Sequence, residues 1–169
     1  MKIFKFCTII FIYLSVNITF AAEVFEEKVL FKKGDWEVVL LRFDDRSTAC
    51  VARNGGGNKE FQVYVTSEVD ELAIFYDESD INEKLKIFEI AVDDHPSWYT
   101  ESPKFDSGWL VMDLTTVSDK ALIELIEEIM KGQELFHIDD NNKIINSFSL
   151  KGSSASIYEL VKCIEDQGF

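Results

Sequence analysis

Beyond residue 21 the chain carries two cysteines, Cys50 and Cys163, and the first 21 residues decide whether those thiols constrain the fold. Lys2 and Lys5 precede the apolar run 6–14, and Thr19 and Ala21 put small residues at the −3 and −1 positions of a cleavage site after Ala21. A charged start, a short apolar stretch and a small-residue exit are the pattern of a secretory signal peptide. The stretch is too short for a bilayer span and is interrupted by Asn17 and Thr19, and no later window is apolar enough to cross a membrane. The expectation is a signal peptide over 1–21 and a mature chain over 22–169 that carries no membrane segment after cleavage. Export leads to the periplasm or to secretion, where a pair of thiols reads as a disulfide. Cys7 leaves with the leader, so the expected bridge is Cys50–Cys163. In the chain-entropy model a loop of that length stabilises the fold by about 4 to 5 kcal/mol.

Length and composition narrow the class further. A chain of 169 residues supplies one sizeable core and is short for two, so residues 22–169 are expected to form a single domain. Two prolines and eight glycines against fourteen phenylalanines exclude collagen-like and low-complexity classes. Thirty-one acids face seventeen bases, and loss of Lys2 and Lys5 leaves fifteen bases and a net charge of −16. Phosphate recognition runs on Lys and Arg, so nucleic acid is excluded as a partner. A surface of this sign steers toward a protein partner of basic character.

Local patterning predicts an α+β fold. Val29-Leu30-Phe31, Trp36 to Phe43 and Thr48 to Arg53 read as strands around the polar turn 44–47, with Cys50 inside the return strand. Asn54-Gly55-Gly56-Gly57-Asn58 reads as a flexible loop. Phe61 to Thr66, Leu72 to Tyr76, Leu85 to Val92 and Gly108 to Leu114 continue the series, and residues 139–142 form the turn of a later hairpin. The period changes at Ser118, which can cap a helix over Asp119 to Lys131 whose apolar side holds Leu122, Leu125, Ile126 and Ile129, with Gly132 as its stop. A last helix follows Gly152, capped by Ser153 or Ser156 and striped by Ile157, Leu160, Val161 and Ile164. The sum is an antiparallel sheet of about seven or eight strands with two helices packed on it and one disulfide.

The order of landmarks carries a resemblance. A leader, Trp36 opening a strand, Cys50 in the next, a helix ending before Gly132, then Phe148-Ser149-Leu150-Lys151-Gly152-Ser153 and Leu160-Val161-Lys162-Cys163 resemble small secreted proteins of Gram-negative bacteria in the invasion-associated locus B family and its relatives. The resemblance covers nearly the whole mature chain, and the F-S-L-x-G-S and L-x-x-C ending is its most specific part. It implies a periplasmic or exported β-rich domain with one long-range disulfide, and it brings no catalytic residues.

Chemistry-bearing residues are sparse. His95 in Asp93-Asp94-His95-Pro96-Ser97-Trp98-Tyr99 raises a metal site or an acid/base hydrolase using Asp93 and Asp94, but no further defined partner joins these neighbours in sequence and a polar turn with an aromatic plug explains them better. His137 near Asp139 and Asp140 reads the same way, and that turn lacks the glycine and closing Glu of a calcium loop. Gly152-Ser153-Ser154 has no nucleophile-elbow glycines, and the glycine loop at 54–58 is no phosphate cradle. No catalytic, cofactor-binding or metal-binding residue is assigned, and no cofactor is expected. Recognition surface remains: Arg53 and Lys59 flanking the glycine loop, and His95, Trp98, Tyr99 and Phe105 in an aromatic loop. The reading is a secreted, acidic, non-enzymatic protein that binds another protein, an exported virulence-type effector first, with a periplasmic immunity or inhibitor protein and a hydrolase using His95 as the alternatives.

Overall fold

The computed structural model describes residues 22–56, 59–76, 86–101, 103–106 and 108–169; the expected signal peptide, 1–21, lies outside them. The elements run β1 (Val24–Lys33), β2 (Trp36–Phe43), β3 (Thr48–Gly56), β4 (Lys59–Val65), β5 (Asp70–Tyr76), β6 (Ile87–Val92), β7 (Trp98–Glu101), β8 (Lys104–Asp106), β9 (Trp109–Asp113), α1 (Asp119–Lys131), β10 (Glu134–Ile138), β11 (Ile144–Ser149) and α2 (Ser153–Gln167). The fold is α+β with antiparallel pairing and a Cys50–Cys163 disulfide, Cα atoms 6.0 Å apart. The strands exceed the expected seven or eight and form two sheets: a seven-stranded sheet, β1-β2-β3-β4-β5-β9-β8, and a four-stranded one, β11-β10-β6-β7.

The first five strands are a meander, each paired with the next. Alternation sorts their side chains. Trp36, Val38 and Leu40 of β2, Cys50 and Ala52 of β3, Phe61, Val63 and Val65 of β4, and Leu72 and Ile74 of β5 share one face and join the main core. That core continues into Phe88, Ile90 and Val92 of β6 and Leu135 of β10, and into Leu125 and Ile129 of α1 and Ile157, Leu160 and Cys163 of α2. The two helices and the inner face of the smaller sheet thus cover the larger sheet together. Each fully buried Leu, Ile or Phe contributes about 1.5–3 kcal/mol. The opposite face of the meander holds a smaller cluster, Val39, Ala49 and Val51 ringed by Leu41, Phe43 and Tyr64. This is why β2 reads as a continuous apolar run: both its faces are buried.

The glycine segment departs from expectation. Asn54, Gly55 and Gly56 of the expected loop are instead strand, because β3 runs to Gly56 and pairs with Lys59 of β4, while 57 and 58 lie outside the described residues. Asn54 is buried and its Nδ2 donates to Ser149 O at 2.6 Å, beside Trp36 Nε1 donating to the same carbonyl at 3.1 Å. Two donors from the large sheet therefore meet the end of β11. The exposed edge β1 is interrupted by bulges at Val24/Glu26 and Val29/Phe31 and carries three lysines, which blunts it against further pairing.

α1 begins as expected, with Ser118 Oγ accepting from Ala121 N, Asp119 in the first turn and Lys131 in the last. Gly132 stops it in extended backbone, and glycine is required by packing: a Cβ there would overlap Val92 Cγ1 and lie 2.9 Å from Glu128 O. The start of α2 differs from its reading. Its N-cap is Gly152 at φ 109°, with no side-chain cap; Ser153 Oγ donates instead to Ile129 O of α1 at 2.7 Å, and Ser156 Oγ is buried without a partner. Neither serine caps because both lie on the face that packs on the core.

Candidate functional site

The residues expected to carry recognition separate into three places. Arg53 and Lys59 sit at one end of the meander. Arg53 is not a free flank: Nε lies 2.7 Å from Glu37 Oε1 and Nη2 lies 2.7 Å from Glu27 Oε1. Burial disfavours its charge, and the two carboxylates outweigh that and hold the guanidinium protonated. Glu37 is raised by burial, but hydrogen bonding and charge from Arg53, with Lys32 adding to both, bring it below the usual carboxylate range. Glu60 beside them is pushed up by burial, with Arg53 opposing. The cluster ties β1, β2 and β3 together across their shared face. Lys59, by contrast, is exposed.

His95 and Trp98 converge on α1. Val92 ends β6, Asp93 turns at φ 47°, and His95 N donates back to Val92 O at 2.9 Å. The Asp93 carboxylate accepts from Gln133 N at 3.0 Å and Glu134 N at 2.9 Å, so it binds the turn to the link between α1 and β10 and is committed there. His95 is 56% exposed and its Nδ1 lies 3.5 Å from Glu128 Oε1. Trp98 Nε1 donates to Glu128 Oε2 at 2.7 Å, while its ring packs on the core. One carboxylate therefore contacts both rings, and His95 and Glu128 line a groove of about 270 Å³ with Glu124, Glu127 and Lys131. No hydroxyl or thiol among the described residues lines the groove as a nucleophile for the imidazole to activate. Among the described residues no three His, Cys, Asp or Glu side chains gather closely enough to hold a metal ion.

Tyr99 and Phe105 lie apart from that groove. Tyr99 follows Trp98 in β7, so alternation turns it to the opposite, outer face of the four-stranded sheet, where it is 64% exposed. Register places Glu89 opposite Tyr99 and Ile138 opposite Glu89, with Phe136 opposite Ala91. Phe136 and Ile138 are half-buried, lie outside the core cluster, and share this face with Glu89, Glu101 and Glu134. Phe105 is exposed on β8, the edge of the large sheet. Residues 102–103 alone separate β7 from β8, so the two edges adjoin in the chain.

Helical periodicity places Glu128 on the solvent side of α1 and gives no sign of His95 or Trp98, since only the fold brings together residues 33 and 30 positions apart. Phe136 and Ile138 read from sequence as strand residues without a role; strict alternation with buried Leu135 and His137 was the available signal that they face outward. Comparison with protein-family models, with curated proteins and with solved structures finds no match for this chain.

Proposed function

We propose that this is a secreted protein-binding domain, an exported effector that engages a basic protein through the outer face of its four-stranded sheet. The observation that carries the reading is the composition of that face: Tyr99 of β7 and Phe136 and Ile138 of β10 lie on it, with Glu89 of β6 between Tyr99 and Ile138 and with Glu101 and Glu134 on the same face, while both helices pack on the other side. Aromatic anchors interleaved with charge are suited to a protein interface. Acidic framing selects a basic partner and speeds encounter at low salt. The resemblance to the invasion-associated locus B family supports export. A periplasmic inhibitor of a basic toxin uses the same face, and the carboxylates of the α1 groove favour that second reading. The hydrolase alternative loses support from the commitment of the Asp93 carboxylate to backbone amides.

The test is capture by the immobilised protein from periplasmic and host extracts, with Tyr99→Ala and Glu134→Lys as paired variants. A specific basic partner that both variants release, and that high salt weakens, supports the reading. Capture unchanged by both variants overturns it.

A further inference from the structure

Where α1 and α2 meet the end of β4 and the start of β5, the core leaves an apolar groove of about 490 Å³. Leu122 and Ile126 of α1 and Leu160, Val161 and Ile164 of α2 form its helical walls, and Val65 of β4 contributes its floor. Residues 66–70, the turn into β5, and the terminal Phe169 complete the lining.

One polar group there is out of place. Asp70 occupies the same parity in β5 as Leu72 and Ile74, which are fully buried, so its side chain is on the helix-covered face. Its backbone is in register with Val65 across the ladder, and Asp70 O accepts from Leu114 N at 2.8 Å. Its carboxylate meets no donor among the described residues, and burial alone raises it above the ordinary carboxyl range. A half-buried carboxylate without a partner costs free energy that an incoming cation offsets. Glu68 adds a second acid, and no Lys, Arg or His among the described residues lines the groove.

Size selects the kind of occupant. At about 490 Å³ the groove has the dimensions of a small-molecule site. Small-molecule sites run from about 300 to 1,000 Å³ and are mostly apolar with a few placed polar groups. We propose that the groove binds a small cationic amphiphile, its apolar tail between Ile126 of one helix wall and Leu160 of the other, and its ammonium-type head on Asp70 with Glu68.

The test uses the oxidised protein with three ten-carbon probes below their critical micelle concentrations: decylammonium, decanoate and neutral decyl maltoside. Isothermal titration is expected to give one decylammonium per chain, bound at least about tenfold tighter than decanoate. Asp70→Asn, close to isosteric, abolishes that preference and leaves the maltoside unchanged. Val161→Trp, which fills the groove from a position 48% exposed, weakens all three probes. Asp35→Asn removes the same charge from a distant exposed turn and leaves the preference intact. Amide shifts on titration fall on Leu122, Ile126 and Leu160. The proposal is overturned by failure of decylammonium to bind, by many equivalents per chain, by a preference that survives Asp70→Asn or disappears equally in Asp35→Asn, by shifts elsewhere, or by a basic amphipathic peptide binding the groove where decylammonium does not.

Discussion

The imidazole of His137 stands edge-on to the ring of Phe88, centroids 5.3 Å apart and interplanar angle 85°, with both side chains sealed in the core. Burial lowers the His137 pKa from 6.5 to about 4, against the pull of Asp139. The neutral ring is the folded form. Between pH 6.5 and 4 the unfolded chain takes up a proton that the folded chain refuses, so stability falls as pH falls through that window. The full loss from this group is about 3 kcal/mol. The urea midpoint is expected to drop between pH 7 and pH 5 in the wild type and to drop less in His137→Gln.

Cys50 is the third residue of β3 and Cys163 lies in the C-terminal half of α2, both buried. Replacing both by Ala is expected to lower stability by about 2 to 5 kcal/mol, measured by urea unfolding. Because neither sulfur is exposed, dithiothreitol under native conditions is expected to leave the bond oxidised until denaturant opens the core, which thiol alkylation followed by mass spectrometry reads directly.

Arg53 is the guanidinium that Glu27, Glu37 and Glu60 share, while exposed Lys32 reaches Glu37 from the side at 3.4 Å. Arg53→Met keeps the apolar stem and leaves the three carboxylates in mutual repulsion that Lys32 offsets only at Glu37. A loss of about 2 kcal/mol at pH 7 is expected, shrinking as the pH falls and the carboxylates protonate. The Glu60 carboxyl is expected to titrate higher still in this variant, which side-chain carboxyl NMR follows.

Ser153 and Ser156 offer opposite outcomes one turn apart. Ser153 Oγ donates to Ile129 O, and Ser153→Ala is expected to cost about 1 kcal/mol by leaving that carbonyl unpaired. Ser156 Oγ is buried without a partner, so Ser156→Ala is expected to be neutral or stabilising by up to about 1 kcal/mol. Thermal unfolding of the two variants side by side checks the pair.

Elements governed by local rules were legible. α1 matches its reading from Ser118 to Gly132, because a capped amphipathic helix is specified by residues three and four apart. The disulfide followed from counting thiols. The partition of strands into two sheets was not legible, because nothing local distinguishes β6, which joins β10 and β7, from β9, which joins β5 and β8. Asn54 shows the same limit: turn composition suggested a loop, and a carbonyl contributed from β11 made it a buried strand residue. The candidate site was read in part. Tyr99 is on an exposed face, whereas Trp98, its neighbour, is held by Glu128 from a distant helix, and Asp70 was recognisable only by following the parity of β5 to its first residue.

The meander is assembled from neighbouring hairpins, but α2, which covers part of it, follows all eleven described strands in the chain. A nascent chain therefore completes the strands bearing Trp36, Phe61 and Ile74 while the helix that shields them is still unsynthesised. Premature termination just before Ser153 leaves the part of the sheet under α2 uncovered, so aggregation and proteolytic clearance, rather than a weakened native state, are the expected fate of such fragments.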